Sequence, residues 1–249
     1  MVLYTLNFLG TKVAKRLHNR CNTKSFFLVE NFVDSRKLTY SGEGMSADNF
    51  VLNIYSHLTC MLALFGKKKL TEDQIANIFV NTTLEAVESG WPYVRDFIMD
   101  SPEFVKTPDI EESDFGKFLM IVVSANFSYI PQFFESGPDR AIIRRSVEKF
   151  AAIFDVTPEH FAKKLKEYKS CLSRVNMPSN NIKYAMSKAI FFKYGLNQCQ
   201  EAYFQSLNTP NPIFLKNLDE LMRHYIWDWQ SFQDKFKVKV KEEASSKVY

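Results

Sequence analysis

Residues 157–175 read Thr157-Pro158-Glu159-His160-Phe161-Ala162-Lys163-Lys164-Leu165-Lys166-Glu167-Tyr168-Lys169-Ser170-Cys171-Leu172-Ser173-Arg174-Val175. A threonine that can accept a free amide, a proline at the first helical position and an acid beside the positive helix end together mark a helix start. Phe161, Leu165, Tyr168 and Leu172 then recur every three or four residues, which is one face of an α-helix. Lys163, Lys166, Lys169 and Arg174 share the outer side. Apolar stripes under polar faces recur on both sides of this segment. The expected fold is therefore all-α: a compact multi-helix globular body with a basic N-terminal arm and a charged C-terminal tail.

Upstream, Phe50, Val51, Ile54, Leu58, Met61, Leu62 and Phe65 form a stripe over residues 47–65, which Gly66 ends. Lys67, Lys68 and Lys69 follow where cations complement a helix dipole. Thr71 to Gln74 is a capping box. The helix it opens carries Ile75, Ile78, Phe79, Thr82 and Val87 and is expected to stop at Gly90, with a short helix over 93–99 after Pro92. Residues 101–113, with Pro102, Pro108 and four acids, read as an exposed acidic loop and as the place for any domain boundary. Ser113 or Asp114 caps the next helix, which is apolar nearly all round and expected to be the most buried. Ile142, Ile143, Val147, Phe150, Ala151 and Phe154 face inward from a helix begun at Pro138.

Downstream, residues 176–179 break the chain and 180–194 are helical again. Further helices are expected over 198–207 and from Phe214 through Trp229. In the tail, Lys235, Lys237, Lys239 and Lys241 alternate with Phe236, Val238 and Val240, which suits a fraying arm or a strand on a partner's edge. Residues 26–41 are the one stretch upstream that suits short strands or a hairpin. The expected division is an arm or targeting segment over 1–29, helical parts over 30–100 and 114–234 around the 101–113 loop, and a lysine-rich tail over 235–249.

A chain of 249 residues can bury a real core, and 23 Phe and 11 Tyr make that core one of large rings. Only 8 Gly and 9 Pro argue against a turn-rich all-β protein. Cys21, Cys60, Cys171 and Cys199 are far apart, so neither a disulfide framework nor a zinc site is expected, and the thiols suit an intracellular compartment. No apolar run approaches the roughly 20 residues of a membrane span. Residues 1–29 hold Lys12, Lys15, Arg16, Arg20 and Lys24 and no acid. That suits a cytoplasmic protein with a basic arm or, alternatively, a presequence for the mitochondrial matrix.

Motifs for catalysis are weak. Gly42-x-Gly44-x-x-Ala47 matches a dinucleotide fingerprint by letter, but no acid follows at the ribose distance and no strand–helix alternation surrounds it. Gly66-Lys67 lacks the rest of a P-loop, and no G-x-S-x-G or H-E-x-x-H occurs. His18, His57, His160 and His224 are scattered. Asp109, Glu111, Glu112 and Asp114 lack the spacing of a calcium loop and read as solvated. No cofactor or metal is expected.

Charge is the informative feature. The chain nets +4, yet residues 71–139 hold thirteen acids against three bases and residues 140–193 hold twelve bases against four acids. Arg140, Arg144, Arg145 and Lys149 occupy the polar side of one helix. Lys163, Lys166, Lys169 and Arg174 line the next, and Lys183 and Lys188 project from a third. Tyr168, Tyr184, Phe191 and Tyr194 lie among them. Spaced cations with rings nearby suit single-stranded nucleic acid, RNA above DNA, with phosphates on the cations and bases stacked on the rings. The leading expectation is a non-enzymatic RNA-binding and packaging protein that self-associates along a strand, acidic face to basic face. In size and layout the chain resembles small helical nucleocapsid or coat proteins of RNA viruses; the likeness is architectural. Two alternatives stay open: a mitochondrial helical subunit or assembly factor, and a helical enzyme or carrier of an apolar small molecule.

Overall fold

The computed structural model describes residues 68–177 and 179–239. The expected arm over 1–29, the strands over 26–41, the helix over 47–65 and the end of the tail lie outside these residues. Within them the chain is helical apart from one small sheet. A strand, β1 (Lys68–Leu70), leads into α1 (Glu72–Met99), α2 (Phe115–Phe133), α3 (Pro138–Ile153), α4 (Pro158–Asn176) and α5 (Ile182–Lys193). There follow α6 (Ala202–Leu207), α7 (Pro212–Met222), α8 (Trp229–Lys235) and β2 (Phe236–Val238).

The local signals at helix starts act as expected. Thr71 Oγ1 accepts from Gln74 N while Gln74 Oε1 accepts from Thr71 N, which closes the capping box. Thr157 Oγ1 accepts from His160 N at 3.2 Å, with Pro158 at the first helical position. Asp114 is the N-cap residue of α2, but its carboxylate does not cap. It accepts instead from Lys117 Nζ at 2.7 Å and from Glu111 N at 3.3 Å.

One long α1 replaces the expected pair of helices split at Gly90 and Pro92. A proline inside a helix costs about 3 kcal/mol, and here Trp91, Val94 and Ile98 bury their side chains around it and hold the helix together. Gly90 serves packing rather than termination. A Cβ there would lie 2.1 Å from the hydroxyl of Tyr225, so only glycine admits that ring.

Helix α2 is central, with α1, α3, α4 and α5 all packed on it. Every residue from Ile121 to Phe127 is buried, as an all-round apolar helix requires. Around it, Phe79 touches the rings of Phe127, Phe150, Trp227 and Trp229 at centroid separations of 5.5, 6.4, 5.7 and 5.2 Å. Each such aromatic contact adds about 0.5–1.5 kcal/mol beyond its burial. Residues from both sides of the 101–113 loop belong to this one core. The loop is irregular, and its acids Asp109, Glu111 and Glu112 are exposed. It is also anchored: Val105 N and Lys106 N both donate to Cys199 O, and Trp91 Nε1 donates to Glu112 O.

The C-terminal third departs most from expectation. In place of one helix over 198–207, a 3₁₀ turn (Leu196–Cys199) and the short α6 flank an extended Gln200. Gln200 is fully buried; its amide donates to Asn197 Oδ1 and Thr209 O, and its carbonyl accepts from Asn211 N at 2.6 Å. A helical Gln200 could not make these three bonds. The expected helix through Trp229 is likewise broken into α7, a 3₁₀ turn (Arg223–Tyr225) and α8. Buried Asn126 of α2 explains the break. Its Nδ2 donates to Tyr225 O at 2.8 Å, and its Oδ1 accepts from Trp227 N at 2.6 Å, which consumes backbone groups that a helix would need.

The alternating tail does form a strand, but on its own chain. β2 pairs in parallel with β1, Lys68 opposite Phe236 and Leu70 opposite Val238, and Lys239 N donates to Leu70 O at 2.7 Å. Phe236 and Val238 are half-buried and Lys237 is exposed, the period of two that a half-covered strand shows.

Candidate nucleic-acid interface

The three basic helices lie side by side, α4 packed against α3 on one flank and α5 on the other. Their apolar stripes, Ile142 and Phe150 on α3, Phe161, Leu165 and Leu172 on α4, Ala185 and Ala189 on α5, turn toward the core. That leaves the charged sides outward, but the individual cations differ in what they already hold.

On α3 most of the charge is engaged. Arg144 and Arg145 converge on Glu148, each at 3.3 Å. Lys149 reaches Asp73 in the first turn of α1 at 2.9 Å, and its side chain is only 23% exposed. Lys149 is thus a tie between helices rather than a surface cation. Arg140, at the start of α3, is exposed and in no ion pair among the described residues.

On α4, Lys163, Lys166 and Arg174 are exposed and make no ion pair among the described residues. Lys169 is half-buried, and that burial pushes its ammonium pKa down. The carboxylate of Glu167 lies among these cations. Its pKa is lowered, chiefly by the hydrogen bond from Lys164 at 2.9 Å; desolvation opposes this, and the charges of Lys164, Lys163 and Lys193 add to the lowering. Lys164 and Lys193 thus join the cationic surface, although the sequence reading nominated neither. The available signal was the spacing of Lys164 three residues before Glu167 and the position of Lys193 in the last turn of α5.

On α5, Lys188 sits 4.9 Å from the ring centre of Tyr184, and Lys193 sits 4.5 Å from that of Tyr168 on α4. Lys183 faces α7, where its charge acts on Asp219. Burial raises the pKa of Asp219; the neighbouring Ser187 hydroxyl and Lys183 oppose the rise, and Glu220 adds to it.

The four aromatic residues near these cations divide. Phe191 is fully buried and has no face to offer. Tyr194 stacks on Trp91 at 5.6 Å and donates to Asp114 O at 2.9 Å. Burial, then the Asp114 carboxyl, raise its pKa far above the usual phenol value, so it stays protonated and donating. These two rings belong to the core. Tyr168 and Tyr184, half-buried beneath lysines, are the ones at the basic surface. Among the described residues no helix is long and apolar enough to cross a membrane. No protein-family model, curated protein or solved structure matches the chain.

Proposed function

We propose that this chain is a non-enzymatic protein that binds and packages single-stranded RNA, using the outer side of α3–α5 with α4 at its centre. The observation that carries the reading is the state of the α4 cations. Lys163, Lys166 and Arg174 stand exposed, with no ion pair among the described residues, on the middle one of three adjacent basic helices, where surface lysines are ordinarily interspersed with acids. Phosphates would meet these groups and Arg140, while Tyr184 under Lys188 and Tyr168 under Lys193 supply ring faces that tolerate any base. For self-association the candidate surface is acidic: Asp100, Asp109, Glu111 and Glu112 are exposed at the end of α1 and in the loop after it, and they would attract the basic side of a second copy.

The test is the ratio of absorbance at 260 to 280 nm of the purified protein, with its size on a column, before and after a high-salt wash. A high ratio that falls on washing, with large particles that shrink, is expected. A protein-like ratio with one small species, and no RNA uptake on mixing, would overturn the reading. Neutralising Arg144, Arg145, Lys163 and Lys166 together is expected to abolish uptake, since sequence-independent affinity rests on the cations.

A further inference from the structure

We propose that the outer face of the β1–β2 sheet is a second contact for the bound RNA, whose phosphates lie across Lys69, Lys237 and Lys239. This rests on the RNA-binding reading above and adds a surface outside α3–α5.

The register of the sheet gathers these cations. Lys69 of β1 stands directly opposite Lys237 of β2, and Leu70 stands opposite Val238. Successive side chains on a strand point to opposite faces of the sheet. Leu70 is buried in the core and Val238 packs against it, so their face is the inner one. Lys69 and Lys237 share the outer face, and Lys239, two residues on, joins them; all three are exposed. Paired strands run about 4.8 Å apart, and two residues along β2 span about 6.6 Å. Three ammonium groups therefore stand on a patch only two strands wide.

The charge of the patch indicates the occupant. Among the described residues no carboxylate forms an ion pair with Lys69, Lys237 or Lys239. Of the acids near them in sequence, Asp73 is held by Lys149 at 2.9 Å and Asp234 accepts from Gln230 at 3.3 Å. Like charges directly opposite one another weaken a sheet. Lysines also keep an open strand edge from pairing with other chains, but an acid opposite Lys237 would serve that end and attract instead of repel. An anion shared by both strands turns the repulsion into a bridge. A phosphate backbone supplies such charges in a row, at a step close to the separation of Lys237 and Lys239. The sheet also lies close to the basic helices: Asp73, which meets Lys149 of α3, is four residues from Lys69, at most about 14 Å of chain. Because β1 and β2 are three residues each, a phosphate that bridges them should tighten their pairing.

The test uses the full-length protein and a long labelled oligouridylate, followed by anisotropy over a range of salt. Amide hydrogen exchange is read in parallel at Lys239, whose N–H donates to Leu70 O at 2.7 Å. The combined Lys69→Gln, Lys237→Gln and Lys239→Gln variant is expected to lower the salt slope by about 2, three single-strand contacts at about 0.7 each. RNA is expected to slow exchange at Lys239 in the wild type. Lys69→Glu separates binding from folding, because it places an acid opposite Lys237: exchange at Lys239 in the RNA-free variant should slow, while RNA affinity falls severalfold. If both variants bind with the wild-type affinity and slope, the sheet is no contact, and RNA binding by α3–α5 stands. If Lys69→Glu loses affinity only together with faster exchange at Lys239, the lysines serve the sheet itself and the inference fails. If the triple variant keeps its RNA affinity but its RNA-free form loses a larger species on a column, the face meets a second copy of the chain and the inference again fails. If the wild type gives no anisotropy change at all, the RNA reading itself fails and takes this contact with it.

Discussion

Helices α2 and α4 are both 19 residues long, pack against one another and are put to opposite uses. Helix α2 carries one charged side chain, Lys117, and buries ten residues; α4 carries seven charged side chains and buries four. The difference separates what holds the molecule together from what it can offer to a partner. Changes in α2 and its contacts should act on stability. Changes on the outer side of α4 should act on binding and leave stability alone.

The largest expected effect lies at α2. Asn126→Leu removes bonds to Val122 O, Tyr225 O and Trp227 N, all made by a buried side chain. A loss of about 3–5 kcal/mol is expected in denaturant unfolding. Gly90→Ala, which drives a methyl group into the Tyr225 ring packed on Phe118 of α2, should cost about 1–3 kcal/mol by the same measurement.

On α4 the combined Lys163→Gln, Lys166→Gln and Arg174→Gln variant should unfold within about 0.5 kcal/mol of wild type. Its RNA affinity should nonetheless fall about tenfold or more, and its salt slope by about 2, three single-strand contacts at about 0.7 each. Lys169 should break the pattern within α4. Because burial lowers its folded pKa below the unfolded value, its charge costs stability at neutral pH, and that cost is relieved as pH rises through the lowered value toward the ordinary lysine range. Lys169→Met is therefore expected to raise the Tm at pH 7 and to narrow its advantage at high pH, with little change in RNA binding. The smallest effect belongs to Glu167→Gln. It releases Lys164 and lifts a negative charge from among the cations, so affinity should rise about two- to threefold and the salt slope by less than one. Its depressed pKa gives a stabilising contribution present above the ordinary carboxylate range and lost as pH falls through the lowered value; the variant should lose that acid sensitivity.

What the sequence made legible were features decided within a few residues. The caps at Thr71 and Thr157, the all-round apolar α2 and the amphipathic α4 depend on neighbours one turn away, and they stand as expected. What it hid depends on partners far along the chain. Asn126 and Tyr225 are 99 positions apart, so nothing local warned that the helix after Phe214 would be interrupted. Gly90 looked like a stop because its reason, the Tyr225 ring, is supplied by a distant segment. The basic side was legible as composition only. That Lys149 is spent on Asp73 and that Phe191 and Tyr194 turn into the core are facts of packing. Sequence spacing put ten cations and a tyrosine in one candidate surface; the geometry concentrates the available charge on α4.

The central claim is that this surface of α4 binds single-stranded RNA. The most direct measurement is the affinity of a labelled single strand for the full-length protein over a range of salt, beside that of the Lys163→Gln, Lys166→Gln, Arg174→Gln variant, with thermal unfolding of both. The account predicts binding by the wild type with a steep salt slope, a slope lower by about 2 in the variant, and the same unfolding curve for both. Equal affinities and slopes for the two proteins, or no binding by the wild type at low salt, would contradict it.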